Sequence, residues 1–117
     1  MILSIALACA ITLVFAALGV AKVLAVPATR EMAAHAGFTV AAYRRIGVLE
    51  IAGAIGVALG PAVRLFGGLA GAGLLLLLAG ALATHVRNHD AARALIPAVA
   101  CAMLVAGYLA ALFGAAR

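Results

Sequence analysis

The chain has 117 residues, of which 69% are hydrophobic and only 9% are charged. Soluble domains carry about 25% charged residues, and small ones leave much of their surface in water, so this composition excludes a soluble domain and indicates an integral membrane protein. The net charge of +5 includes no basic run longer than Arg44-Arg45, and the chain has no tryptophan, which argues against a nucleic-acid partner.

Four apolar runs have the length of about 20 residues that a transmembrane helix requires. Only the second contains a charge, Glu50, and it closes at Gly60-Pro61. None of the runs shows the alternating pattern of a membrane barrel strand. The sequence therefore predicts an all-α membrane protein, a single domain over residues 1–117 built as an antiparallel bundle of four transmembrane helices. The four runs are residues 2–21, 46–63, 65–84 and 95–116.

The first loop is the only connection with room for structure of its own. Thr29 is a candidate N-cap for a short helix that continues through His35 and ends at Gly37. We expect this helix to lie in the membrane interface, with its charged side chains in water and Met32 toward lipid. Thr39 is a candidate cap for an early start of the next helix.

The basic residues are distributed unevenly between the two sides of the predicted bundle. Arg64 and Arg117 lie on the side of the N-terminus, and the other six lie at the first and third loops. The positive-inside rule then places these two loops in the cytoplasm and both termini outside. The expected location is the plasma (inner) membrane of a bacterium. The six residues are Lys22, Arg30, Arg44, Arg45, Arg87 and Arg93.

Glu50 is the leading candidate for a functional residue, because an ionisable side chain inside a span is costly to place there. The topology brings Lys22, at the end of the first span, and His85, at the end of the third, to the same side as Glu50. Thr84 and Arg45 lie at similar depth. These five residues predict a polar ligand-binding pocket that opens toward the cytoplasm. A purely structural ion pair between Lys22 and Glu50 is the alternative, and Arg45 has the alternative of reaching the lipid head groups.

Glycines are concentrated in the second and third predicted spans. Gly56 and Gly60 are spaced as GxxxG, and so are Gly67 and Gly71. Small residues at this spacing let helix backbones approach closely. The pattern fits packing within one bundle, and it also fits the interface of a homodimer.

Short motifs in all four spans resemble those of DoxX-like membrane proteins. Residues 19–24 resemble the glycine-to-lysine ending of the family's first helix, and residues 46–54 resemble its Gly–Leu–Glu–Gly pattern. Thr84-His85 and Ile96-Pro97 stand where the family has comparable residues. The resemblance covers the whole chain and implies the four-helix plan. The family is named for a membrane subunit of a thiosulfate:quinone oxidoreductase, and some mycobacterial relatives are linked to membrane assemblies that handle oxidative and thiol stress.

The resemblance implies a subunit or accessory protein of a membrane redox-linked assembly, whose polar pocket holds a quinone, a lipid or a similar amphiphile. One alternative is a small proton-coupled transporter like the multidrug exporters, using Glu50, although those proteins carry their glutamate in the first helix. Another is an autonomous membrane enzyme that uses Glu50 and His85 for proton transfer. No residue pattern assigns catalytic residues, and no histidine cluster or HExxH motif predicts a metal site.

Overall fold

The computed structural model describes residues 1–114 and is entirely helical over them, which confirms the all-α class. Four long helices lie side by side in a body of 44 × 28 × 18 Å. A short helix, α2, connects the first two of them. The helices are α1 (Ile2–Val23), α2 (Pro27–Ala36), α3 (Val40–Leu59), α4 (Arg64–Arg87) and α5 (Ile96–Phe113), with a 3-10 turn at Ala92–Leu95 before α5.

Three segments of the described structure are long and apolar enough to cross a membrane: α1, α4, and α5 together with its 3-10 turn. The remaining long helix, α3, has 20 residues but carries Arg44, Arg45 and Glu50. The membrane character of the chain follows from the three apolar helices, and the fourth span stays a prediction. The predicted end of the last span, at residue 116, lies outside the described residues.

Helix α2 begins earlier than the sequence predicted, and Thr29 as its N-cap is wrong. The N-cap is Val26, and Pro27 occupies the first helical position. Proline favours this position because its fixed φ suits a helix and its missing N–H is not needed there. Thr29 is buried within the first turn, where its hydroxyl donates to the carbonyl of Val26 at 2.8 Å and lies 3.3 Å from that of Ala21. The side chain thus anchors α2 to the end of α1.

The boundary between α2 and α3 follows the predicted signals. Gly37 ends α2 in the left-handed conformation, with a φ of 82°, which a residue without a Cβ adopts readily. The Thr39 side chain accepts a hydrogen bond from the Ala42 amide at 3.0 Å. This cap lets α3 begin at Val40, six residues before the apolar run that predicted it.

The four long helices pack in a closed ring. Helix α3 packs on α1 and α4, and α5 packs on α4 and α1. The glycines at GxxxG spacing face the inside of this ring. A Cβ built on either Gly60 or Gly67 would collide with the buried hydroxyl of Tyr108 on α5, and one on Gly71 would lie 2.7 Å from Leu109. These glycines therefore serve packing within the bundle, in line with the intramolecular alternative.

Candidate functional site

Lys22 and Glu50 form an ion pair inside the bundle, near the end where α1 meets α2. The Lys22 Nζ lies 2.8 Å from the Glu50 Oε1, and the two residues are only 8% and 6% exposed. This oxygen is buried, and apart from Lys22 it has no polar partner among the residues that the structure describes. The contact holds two opposite charges together but leaves most of the carboxylate's acceptor capacity unused.

Two glycines create the space for this pair. Helices α1 and α3 run antiparallel, as the pairing of Thr12 with the Ala54 carbonyl at 3.2 Å and of Gly19 with Gly47 indicates. A Cβ on Gly19 would lie 2.7 Å from the Gly47 carbonyl oxygen, and a Cβ on Gly47 would lie 2.7 Å from that of Gly19. The backbones therefore touch at this crossing.

Lys22 and Glu50 each follow one of these glycines by three residues, which places them on the same helix face as the crossing. The lysine stem passes over Gly47, because a Cβ there would lie 2.8 Å from the Lys22 Cβ. Side chains on a helix tilt toward its N-terminus, and in antiparallel helices these two side chains therefore tilt toward each other.

The Tyr43 ring borders the ion pair and the Phe38 ring packs near Tyr43, and the sequence pointed to neither. The Lys22 Nζ lies 5.6 Å from the centre of the Tyr43 ring, within the range of a cation–π contact. The Phe38 ring, in the connection between α2 and α3, lies 6.0 Å from that of Tyr43. Tyr43 precedes Gly47 by four residues and Glu50 by seven, so helical periodicity would have placed it on the same face.

His85 belongs to a second group of polar side chains, the His35–Asp90–His85 cluster. Its Nδ1 donates to the Asp90 Oδ2 at 2.6 Å, and the His35 Nε2 donates to the Asp90 Oδ1 at 2.8 Å. These hydrogen bonds hold the pKa of Asp90 below its ordinary value, and the one from His85 has the larger effect. The Asn88 side chain also donates to the His35 carbonyl at 3.2 Å. The cluster ties α2 to the loop between α4 and α5.

Asp90 directly follows His89 in the chain, but its partners in the structure are two other histidines. The chain turns back at His89, which has a φ of 55°, and the Asp90 amide bonds to the His85 carbonyl at 3.0 Å. This turn lays the carboxylate against the His85 ring. His35 lies 55 residues away in the chain, and no local signal pointed to it.

The two other predicted site residues have different surroundings. The Thr84 hydroxyl donates back to the Gly80 carbonyl of its own helix at 2.8 Å, and Arg45 is exposed. The structure therefore brings Lys22 and Glu50 into contact and places His85 with Asp90.

The structure also has a cleft that is separate from the ion pair. This cleft, of about 370 Å³, is found at the opposite end of the bundle, between the start of α1, the α3–α4 turn and the end of α5. Within residues 1–114, no group of three His, Cys, Asp or Glu side chains is arranged to hold a metal ion. The cleft is lined by Met1, Ser4, Pro61, Ala62, Arg64, Ala111 and Leu112.

The chain matches the model of the DoxX-like family over residues 6–107. No curated protein and no solved structure matches it. The family match includes Lys22, Glu50 and the whole His35–Asp90–His85 cluster. Since it extends over most of the sequence and the helices are those of a membrane protein, the chain belongs to the DoxX-like family.

Proposed function

We propose that this protein is a subunit or accessory of a membrane redox-linked assembly, and that its Lys22–Glu50 pair binds the polar head of a quinone, a lipid or a similar amphiphile. The observation that supports this is the Glu50 carboxylate itself. It is buried, and apart from the Lys22 contact its Oε1 has no polar partner within residues 1–114. A carboxylate oxygen can accept more than one hydrogen bond, so this oxygen can take a second donor. A bound molecule with an O–H or N–H donor would supply it.

The pair offers both kinds of polar contact to such a molecule. Glu50 can accept hydrogen bonds, and the Lys22 ammonium, 2.8 Å from Glu50, has three N–H donors and so can serve a second acceptor. A lipid hydroxyl would donate to Glu50, and a quinone carbonyl would accept from Lys22. The Tyr43 ring lies beside the pair and the Phe38 ring lies 6.0 Å from it, and the two rings offer apolar surface for a flat ring or an acyl chain. No step of covalent chemistry is required, which fits a binding subunit.

The test is native mass spectrometry of the protein extracted in mild detergent, comparing the parent with Glu50→Gln. The matched control is Glu31→Gln, which removes an exposed acid from α2. We expect the parent and the control to retain a small amphiphile or a redox partner protein. We expect Glu50→Gln, although less stable, to stay helical by circular dichroism at the temperature of the experiment and to lose the amphiphile. A parent that carries nothing, or equal retention by all three proteins, would refute the proposal.

The proposal includes a location in the bacterial plasma membrane, with α3 as a fourth span and with α2 and the α4–α5 loop in the cytoplasm. Single cysteines at the exposed positions Ala34 and Ala62, in a background where Cys9 and Cys101 are serine, flank α3. A membrane-impermeant maleimide applied to intact cells should label Ala62→Cys and spare Ala34→Cys. Labelling of both positions, or of neither, would show that α3 does not cross the membrane, and the reverse pattern would invert the orientation.

A further inference from the structure

One end of the molecule carries five exposed arginines, which we call the arginine face: Arg30, Arg44, Arg45, Arg87 and Arg93. They come from α2, the start of α3, the end of α4 and the 3-10 turn. The hydrogen bond from His35 to Asp90 joins α2 to the loop after α4, and the Lys22–Tyr43 contact joins the end of α1 to the start of α3. The fold therefore gathers the five guanidinium groups at the same end of the bundle.

The acids near this end offer little competition for the arginines. Glu50 is buried beside Lys22. The Asp90 side chain is only 12% exposed, and its two oxygens already accept hydrogen bonds from His35 and His85. Glu31 is then the exposed acid in the described part of this surface. Both oxygens of Asp90 are thus taken by histidines and neither pairs with an arginine of the described residues.

Apolar side chains are exposed next to the arginines. Leu24 is 66% exposed, Met32 is 50% exposed, and Phe38 is 38% exposed. The apolar helices α1 and α4 also end here. A surface that combines arginines with exposed apolar side chains fits the boundary where acyl chains meet phosphates, more closely than it fits an acidic soluble protein.

From this combination we propose that the arginine face selects anionic phospholipids by binding their phosphodiester groups. A guanidinium group is always charged and offers paired N–H donors that match two oxygens of one phosphate. Every basic residue of the face is an arginine, and the chain's single lysine is buried at the ion pair. At the opposite end, the guanidinium group of Arg64 has an aromatic neighbour instead, because its Cζ lies 6.0 Å from the centre of the Phe113 ring.

The test uses the full chain in vesicles of equimolar phosphatidylglycerol and phosphatidylcholine, followed by native mass spectrometry of the lipids that stay bound. The variant is Arg44→Gln/Arg45→Gln/Arg87→Gln, and the matched control is Arg64→Gln. A basic residue near an anionic surface contributes roughly fivefold. We therefore expect the parent and the control to prefer phosphatidylglycerol, and the triple variant to lose at least fivefold of that preference.

Three results would overturn the proposal. They are equal retention of the two lipids by the parent, an unchanged preference in the triple variant, or an equal loss in Arg64→Gln. Binding of an acidic protein that depends on the three arginines, with the lipid preference unchanged, would assign the face to a protein partner instead. Glu50 is untouched in these variants, so this result is separate from the test of the ion-pair site.

Discussion

The Lys22 Nζ lies 2.8 Å from the Glu50 Oε1, and this contact joins α1 to α3 where the Gly19 and Gly47 backbones touch. Burying two charges is costly, and their attraction compensates only when they remain together. The pair is therefore well suited to hold a polar site at one place in the bundle. It also makes the fold sensitive to the loss of either charge.

Removing one charge should destabilise the protein strongly. Lys22→Met keeps the length of the side chain but leaves Glu50 buried without its counter-ion, and breaking a buried pair in this way costs about 3–5 kcal/mol. The double variant Lys22→Met/Glu50→Leu should recover most of this loss, because no unpaired charge remains. Denaturant unfolding in mild detergent measures both effects, with the exposed Arg30→Met as the control. Equal stability of Lys22→Met and the parent would show that the pair does not contribute.

The helix crossing beside the pair should tolerate no added side chain. A Cβ on Gly47 would lie 2.7 Å from the Gly19 carbonyl oxygen and 2.8 Å from the Lys22 Cβ. Overpacking of this kind costs about 1–3 kcal/mol, so Gly47→Ala should lower the free energy of unfolding. Gly80→Ala is the matched control, because its Cβ would meet no atom within 4 Å and alanine is the better helix former. A loss of equal size in both variants would mean that the crossing is not the cause.

Much of the fold was readable from the sequence because long apolar runs permit few structures in lipid. The positions of α1, α4 and α5, the glycine end of α2 and the Thr39 cap all followed from local signals. The predicted start of α2 was wrong because the segment contains two signals for a helix start, Pro27 and Thr29. The helix begins at Pro27.

The candidate site was only partly readable. Lys22 and Glu50 were marked by their charge within apolar surroundings, and Tyr43 went unnoticed because an aromatic residue near a helix start is unremarkable without its partner. The His35–Asp90 contact depends on how α2 lies relative to the α4–α5 loop. Such an arrangement is set by tertiary packing rather than by local sequence.

The hydroxyl of Tyr108 should contribute modestly to stability. It is fully buried and donates to the Val57 carbonyl at 2.8 Å, between the two glycines that make room for it. Tyr108→Phe removes this bond at a cost of about 0.5–1.5 kcal/mol. The cost stays small because the Val57 carbonyl also accepts from the Gly60 amide at 3.1 Å. Thermal unfolding in detergent measures the change, with Tyr43→Phe as the control. A loss far above this range would show that the hydroxyl has a further partner.

The His35–Asp90–His85 cluster should stabilise the protein in a pH-dependent manner. Its two hydrogen bonds lower the pKa of Asp90 in the folded state relative to the ordinary value of 3.8. The unfolded chain therefore takes up a proton at higher pH than the folded one. The stabilisation is complete above the ordinary pKa and is lost as the pH falls through the lowered value.

Asp90→Asn should have a lower Tm than the parent at pH 5, and this difference should shrink as the pH is lowered toward 2. Thermal unfolding across this range in an acid-stable detergent provides the measurement, with Glu31→Gln as the control for removing an exposed acid at the same end of the bundle. A difference in Tm that stays constant down to pH 2 would show that the carboxylate charge of Asp90 does not hold α2 against the α4–α5 loop.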